Sequence, residues 1–279
     1  MSKRLDTLIY EQGLAPSREK AKALITAGLV SVNGACVTKP AASFEEDADI
    51  RISEENEVLR YVSRGGLKLE KALQCFTPDL TDCVCMDVGA STGGFTDCML
   101  QNGARLVYSV DSGSGQLAQK LLSDPRVVNL EQTNIRYLTK EQIPEEVRFV
   151  SIDVSFISLT LVLPVVYEMT SSDASVAALI KPQFEAGKEK VGKKGVVRDP
   201  KIHREVLTSV IGFAKSVGFY AEGLTFSPVK GPEGNIEYLV YLKKNGNKSD
   251  HDRSRVNENV IASVVREAHN ALDHKGAGR

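Results

Sequence analysis

Along residues 1–59 the apolar positions keep first a helical and then an alternating rhythm. Leu5, Leu8 and Ile9 fall on one face of a helix that Gly13 can end. Ser17 stands where a second helix needs its N-cap, with Ala21, Leu24 and Ile25 on the apolar face and Gly28 after its end. Val30-Ser31-Val32 then alternates, Asn33-Gly34 supplies a tight turn, and a second short strand follows near Cys36 and Val37. The pattern predicts a small α+β domain, helix-helix-hairpin, over residues 1–59.

Residues 60–66, Arg60 to Gly66, read as a linker, and a helix is predicted from Leu67 to Phe76. From Cys83 onward short apolar runs alternate with amphipathic stretches. Strands are predicted at 83–88, 106–110, 127–130, 149–153, 175–180, 219–226 and 237–242. Helices are predicted at 94–102, 115–122, 158–168 and 200–217. Such alternation implies a Rossmann-like α/β domain over 67–243, a mostly parallel seven-stranded sheet with helices on both faces. Only Ser227 to Ile236 separate the last two strands, which favours an antiparallel pair at the end of the sheet. The remainder, 244–279, is a polar segment and then a helix whose stripe of Val260, Ile261, Val264, Val265, Ala268 and Leu272 is expected to pack back onto the main domain.

One stretch adds chemistry to this pattern. Asp87-Val88-Gly89-Ala90-Ser91-Thr92-Gly93-Gly94-Phe95 joins an apolar strand to an amphipathic helix. Strand, glycine-rich turn, then helix is how α/β proteins build a nucleotide site at the carboxyl edge of a sheet. The candidate cofactor residues here are Asp87, Gly89, Ala90, Ser91, Gly93, Gly94 and Phe95. Ser91 stands where the dinucleotide fingerprint has its second glycine, yet Gly94 keeps a dehydrogenase open. Asp111 ends the next strand, where a carboxylate can accept two ribose hydroxyls. Asn134, after the third strand, could touch the adenine or its ribose. A dinucleotide and S-adenosylmethionine both fit these residues.

Bulk properties narrow the classes. The chain has 279 residues, 42% hydrophobic and 25% charged, with a formal net charge of −1. A nucleic-acid surface must therefore come from local segregation of charge. Residues 1–40 hold six basic residues, Lys3, Arg4, Arg18, Lys20, Lys22 and Lys39, against three acids. Residues 181–204 hold eight, among them Lys188, Lys193 and Lys194, again against three acids. Arg60, Arg64, Lys68 and Lys71 add a third basic run, which could join the others into one track for a phosphate backbone. Five cysteines, Cys36, Cys75, Cys83, Cys85 and Cys98, form no Cys-x-x-Cys pair and read as reduced structural thiols of a cytosolic protein. No apolar run is long enough to cross a bilayer, no secretory signal core opens the chain, and no His/Cys/Asp cluster has metal-ligand spacing. His203, at a helix start, reads as an ordinary surface residue.

Two resemblances sharpen these expectations. Arg4-Leu5-Asp6, Gly13-Leu14-Ala15, Ser17-Arg18, Ala21, Leu24-Ile25, Gly28, Val30-Ser31-Val32-Asn33-Gly34 and Lys39-Pro40 resemble the small RNA-binding domain named after the fourth protein of the small ribosomal subunit. The glycine loop, Asp111, Asp153-Val154-Ser155-Phe156-Ile157-Ser158 and Lys181-Pro182-Gln183-Phe184 resemble the TlyA family, whose catalytic domain is FtsJ-like. That family carries S-adenosylmethionine-dependent 2′-O-methyltransferases acting on cytidines of ribosomal RNA, and is also called a hemolysin family.

The resemblance implies a catalytic Lys-Asp-Lys-Glu set at Lys68, Asp153, Lys181 and Glu237, with Asp153 also at the cofactor. Each stands at a helix start or strand end, where distant positions converge. Lys181 would steer or accept the proton of a ribose 2′-hydroxyl, and Asp153 and Glu237 would hold it and balance charge. Glu233 borders the same turn as Glu237 and is its rival. RNA is expected as partner because only RNA offers the 2′-hydroxyl. Its contacts are expected at Lys3, Arg4, Arg18, Lys20, Lys22, Arg60, Arg64, Lys188, Lys193 and Lys194. Two alternatives stand beside this expectation: a non-enzymatic ribosome assembly factor on a vestigial fold, and a membrane-lytic hemolysin. The lack of a spanning helix or of a hairpin with a lipid-facing apolar side argues against the second.

Overall fold

A computed structural model describes residues 2–26, 29–52, 60–192, 194–244 and 254–273. Its backbone divides into two units, Met1–Arg64 and Gly65–Arg279.

In the first unit β1 (Ser2–Arg4) runs into α1 (Leu5–Glu11), followed by α2 (Arg18–Thr26), β2 (Val30–Val32), β3 (Ala35–Cys36), β4 (Ser43–Glu45) and β5 (Ile50–Ile52). The Ser17 hydroxyl accepts the Lys20 N–H at 3.1 Å and so caps α2, satisfying a donor that the first helical turn leaves orphaned. Strand β2 pairs antiparallel with both β3 and β5, and β1 pairs antiparallel with β4. Leu5, Ile9, Ala21, Leu24, Ile25, Val30 and Val32 close over one another as the core. The sequence pattern predicts neither β1, β4 nor β5. Each is only three residues long, and Ser2-Lys3-Arg4 and Ser43-Phe44-Glu45 carry too little apolar alternation to signal a strand.

The second unit runs α3 (Gly65–Phe76), β6 (Val84–Val88), α4 (Gly94–Gln101), β7 (Leu106–Val110), α5 (Gln119–Leu122), β8 (Val127–Leu130), β9 (Val147–Ile152), α6 (Leu159–Met169), β10 (Thr170–Ile180), α7 (Pro182–Glu185), α8 (Pro200–Val217), β11 (Phe219–Phe226), β12 (Tyr238–Lys244) and α9 (Glu258–Asp273). Its seven strands form one sheet in the order β11-β12-β10-β9-β6-β7-β8. Neighbours from β10 to β8 are parallel, and β12 is antiparallel to both β10 and β11. This is the mostly parallel seven-stranded sheet that the alternation implies. Ile261, Val264, Val265 and Ala268 of α9 join the core built on α6, α8 and the sheet, as their helical stripe predicts.

In this unit α5, β10 and His203 depart from expectation. The helix predicted at 115–122 is only Gln119–Leu122, because the Asp111 carboxylate takes the Gly113 N–H at 2.7 Å and holds the preceding residues in a turn. Strand β10 starts at Thr170 rather than 175, hidden in the sequence by Ser171, Ser172 and Asp173 and by a register shift between Thr170 and Ser175. His203 is fully buried, not a surface residue. Its Nε2 is 2.9 Å from the Val197 carbonyl and its Nδ1 2.7 Å from the Tyr238 hydroxyl. A carbonyl only accepts, so Nε2 carries a proton, while Nδ1 faces both the Tyr238 hydroxyl and, at 3.2 Å, His269 Nε2. His203 shares the apolar stripe of α8 with Val206, Leu207 and Val210, a helical spacing that marks it as inward-facing.

The chain moves from β6 outward through β7 to β8, then returns to place β9 on the other side of β6. Loops leaving β6 and β9 therefore diverge, and a crevice opens at their carboxyl ends.

Candidate active site

That crevice is a cleft of about 700 Å³, walled by Gly89, Ser91, Asp111, Asn134, Asp153 and the loop from Val154 to Ser158. Gly89 sits at its base with φ +86°, and a Cβ there would come 2.5 Å from the Asp153 carbonyl oxygen. Glycine is thus required for the β6 and β9 loops to touch backbone to backbone. Asp111 ties the glycine loop to the next strand: its Oδ2 accepts the Ser91 N–H at 2.8 Å and its Oδ1 the Gly113 N–H. An ionised carboxylate has about four acceptor sites, so about two remain for ligand hydroxyls.

The other loop residues lie behind the cleft wall. Ala90, Gly93, Gly94 and Phe95 are buried at the start of α4. Asp87 is fully buried beneath the loop and does not line the cleft. Its carboxyl receives the Thr96 hydroxyl at 2.7 Å and lies 3.1 Å from the Ser151 hydroxyl, and burial pushes its pKa up to about 7. Thr96 also meets the Ser109 hydroxyl at 2.8 Å. Asp87 thereby pins α4, β7 and β9 around the loop without touching the cleft.

Beside the cleft, four ionisable groups from four elements form an alternating chain. Glu237 Oε2 lies 2.7 Å from Lys68 Nζ, Lys68 Nζ 3.6 Å from Asp153 Oδ2, and Lys181 Nζ 2.6 Å from Asp153 Oδ1. Two carboxylates and two ammonium groups thus balance in a nearly dry pocket, which is how buried charges are tolerated. Lys181 also donates to the Ser155 hydroxyl at 3.0 Å. Glu237 is buried whereas Glu233 is exposed, and only Glu237 reaches Lys68. Gly231 makes the room: a Cβ there would lie 2.6 Å from Glu237 Oε1.

Two further residues belong to the site. Phe156 is 91% exposed and holds φ +63°, a strained conformation for a bulky side chain. Its ring lies 5.0 Å from that of Phe184, tilted by 49°, and the Lys181 ammonium stands 5.8 Å from the Phe184 centroid. Glu185, at the end of α7, accepts the Ser158 hydroxyl at 2.7 Å and the Leu159 N–H at 2.8 Å. It clasps the segment carrying Lys181 to the loop carrying Phe156, and burial raises its pKa. Neither is marked as a site residue by the sequence alone. Aromatic residues in the Asp153–Ser158 and Lys181–Phe184 segments were the available signal, but the positive φ and the clasp across the two loops leave no local trace.

The basic residues expected at RNA divide by environment. Arg4 and Arg18 meet the buried Asp6 carboxylate, whereas Lys3 lies 2.9 Å from Glu11 and 3.6 Å from Glu46. Lys22, Arg60, Lys188 and Lys194 are exposed, Lys20 and Arg64 half-buried, and Lys193 lies outside the described residues. Of the cysteines described, Cys83, Cys85 and Cys98 are buried and Cys75 exposed.

The FtsJ-like methyltransferase family matches residues 61–244, and the S4 domain family matches residues 3–50. A Bacillus subtilis protein named as an rRNA methyltransferase, YqxC, is 49% identical over 275 residues, 98% of this chain and 96% of that protein. The 16S/23S rRNA (cytidine-2′-O)-methyltransferase TlyA of Mycobacterium tuberculosis is 43% identical over 240 residues, 86% of this chain and 89% of its own. A solved structure from Streptococcus thermophilus, named as a hemolysin, has 46% identity and a TM-score of 0.79, covering 99% of both chains. Among the described residues no helix is long and apolar enough to cross a membrane.

Proposed function

The chain belongs to the FtsJ-like methyltransferase family, and from that premise we propose that it transfers a methyl group from S-adenosylmethionine to the ribose 2′-hydroxyl of a cytidine in ribosomal RNA. It is an enzyme of two parts, an S4 domain and a methyltransferase domain. The observation that carries the assignment is the chain Glu237–Lys68–Asp153–Lys181 at the rim of the cleft. The names of the mycobacterial and Bacillus relatives support the same substrate class.

The cleft suits S-adenosylmethionine. Asp111 keeps acceptor sites for two ribose hydroxyls, and a carboxylate there disfavours a ribose phosphate. Ile135, Ile157 and Leu161 offer an apolar wall for an adenine, and Asp153 joins the cleft to the catalytic groups. The bound cofactor supplies a methyl group on a positively charged sulfur.

The remaining work falls to the protein. A ribose hydroxyl is weakly acidic, so it needs alignment and help with its proton. Lys181 Nζ, oriented by Asp153 Oδ1 and Ser155 Oγ, is poised to take that proton once it has released one of its own to solvent. Asp153 balances the ammonium that results, and Lys68, held by Glu237, fixes the other oxygen of Asp153. Phe156 and Phe184 present an aromatic face on which the target base can stack once it leaves its helix. The S4 domain binds folded rRNA.

Calorimetric titration with S-adenosylmethionine, paired with a methyl-transfer assay on deproteinised rRNA, tests the assignment. Lys181→Ala is expected to bind the cofactor normally and to lose transfer by about 10²–10⁴-fold. Unchanged transfer by that variant would remove Lys181 from the chemistry. A wild-type protein that binds rRNA but not the cofactor would be an assembly factor instead.

A further inference from the structure

In the first unit, one buried carboxylate grips two arginines. Asp6 is fully excluded from solvent, whereas the Arg4 and Arg18 side chains are each 49% exposed. Arg4 meets it with a fork, Nε to Oδ1 at 3.0 Å and Nη2 to Oδ2 at 3.0 Å. Arg18, from the first turn of α2, adds Nη2 to Oδ2 at 3.2 Å. Asp6 is itself fixed: its N–H donates to the Pro40 carbonyl at 3.2 Å, and its neighbour Leu5 donates to Ala42 at 2.8 Å. The Arg4 guanidinium holds the Asp6 pKa down to about 2, so the carboxylate stays charged at any working pH.

The donor count then matters. A guanidinium carries five N–H donors. Arg4 uses two on Asp6 and Arg18 one, so most of their donors point elsewhere. Two positive groups against one negative leave an uncompensated charge at a rigid, half-exposed spot. Lys3 has the opposite balance, one cation between Glu11 and Glu46. An anion with oxygens on several sides, such as a backbone phosphate, matches two adjacent guanidinium groups.

We propose that Asp6 is a positioning residue that locks Arg4 and Arg18 side by side as a clamp for an RNA phosphate. This rests on reading the S4 domain as the RNA-binding part. Without Asp6 the two guanidinium groups repel, and each must be ordered afresh when RNA binds. Ordering a long side chain at an interface is costly enough that freeing two weakens binding by roughly tenfold.

The sign of the effect makes the test sharp. Asp6→Asn removes a negative charge from an RNA-binding unit, and simple charge counting predicts tighter binding with an equal or steeper salt dependence. The clamp predicts the reverse: roughly tenfold weaker binding of deproteinised rRNA, and a slope of log affinity on log salt shallower by about one. Filter binding of the full chain at several salt concentrations reads both quantities. Equal or tighter binding by a folded Asp6→Asn protein would overturn the proposal. Should that variant melt early, the pair Arg4→Lys with Arg18→Lys keeps every charge and sits on the surface, but lacks the fork. It is expected to show the same loss and the same shallower slope, and unchanged binding would overturn the clamp. Failure of the wild-type protein to bind rRNA would sink the RNA-binding reading along with it, whereas tight binding by wild type and tighter binding by Asp6→Asn would sink the clamp alone.

Discussion

Lys68 Nζ lies 2.7 Å from Glu237 Oε2, and the two side chains are 8% and 1% exposed. The pair joins the first helix of the catalytic unit to the entry of its last strand. A buried pair of this kind is sensitive to loss of one member, because the survivor is left charged and desolvated. Lys68→Met is therefore expected to destabilise the fold by about 3–5 kcal/mol. Lys68→Met with Glu237→Leu should recover most of that loss while remaining inactive, since Asp153 still lacks its second partner. Chemical denaturation of the two single variants and the double variant measures the coupling; additive losses would show that the pair is not an energetic unit.

Phe156 gives a prediction in which stability and activity move in opposite directions. Its φ of +63° suits glycine and not phenylalanine. Phe156→Gly should raise the thermal midpoint, by relief of about 1–3 kcal/mol of strain less the entropy that glycine adds to the unfolded chain. The same change should lower kcat/KM for rRNA by roughly 5- to 150-fold, the worth of about 1–3 kcal/mol of base stacking. Equal activity in the glycine variant would exclude a stacking role.

Asp87 makes stability depend on pH in a direction unusual for a carboxylate. Its pKa is raised from 3.8 to about 7, so the folded state keeps the proton that the unfolded chain releases near pH 4. The contribution is fully present below pH 4 and is lost as pH rises through about 7. The full span amounts to about 4 kcal/mol at most. Protonated, Asp87 can donate to Ser151, whose own hydroxyl then faces the Met99 sulfur at 3.7 Å. Denaturant melts at pH 5 and pH 8 should show a smaller fall for Asp87→Asn than for the wild-type chain. Parallel falls in the two proteins would assign the pH dependence to other groups.

Much of this was legible in the chain. Strands β7, β8 and β11 and helix α8 fall where the apolar rhythm predicts them, because each is long or strongly patterned and bounded by turn residues. The glycine loop announced the cleft, and the resemblance named Lys68, Asp153, Lys181 and Glu237, which the fold brings into contact. What remained hidden depends on contacts distant in sequence. The Asp87 carboxyl reads as part of a ligand loop, but its partners Thr96 and Ser151 hold it at the end of β6, beneath that loop. His203 looked superficial until α8 turned its stripe toward Tyr238. The three-residue strands β1, β4 and β5 take their shape from pairing rather than from their own composition.

Glu185 tests whether the two catalytic loops act together. Glu185→Ala removes both the Ser158 and Leu159 acceptor contacts, each worth about 1 kcal/mol or somewhat more. Because Ser158 and its neighbours line the cleft, the variant is expected to weaken cofactor binding as well as turnover. A calorimetric titration against wild type separates the two effects; intact cofactor affinity with normal turnover would make the clasp irrelevant to catalysis.

The most direct measurement of the central claim follows the methyl group to its atom. Purified protein, S-adenosylmethionine labelled on the methyl group, and deproteinised rRNA are incubated, and the RNA is then hydrolysed in alkali. Methylation of a 2′-hydroxyl blocks cleavage at that linkage, so the label should appear in alkali-resistant dinucleotides whose modified member is a cytidine, and should vanish with Lys181→Ala. Label released in single nucleotides methylated on the base, or no label in RNA at all, would contradict it.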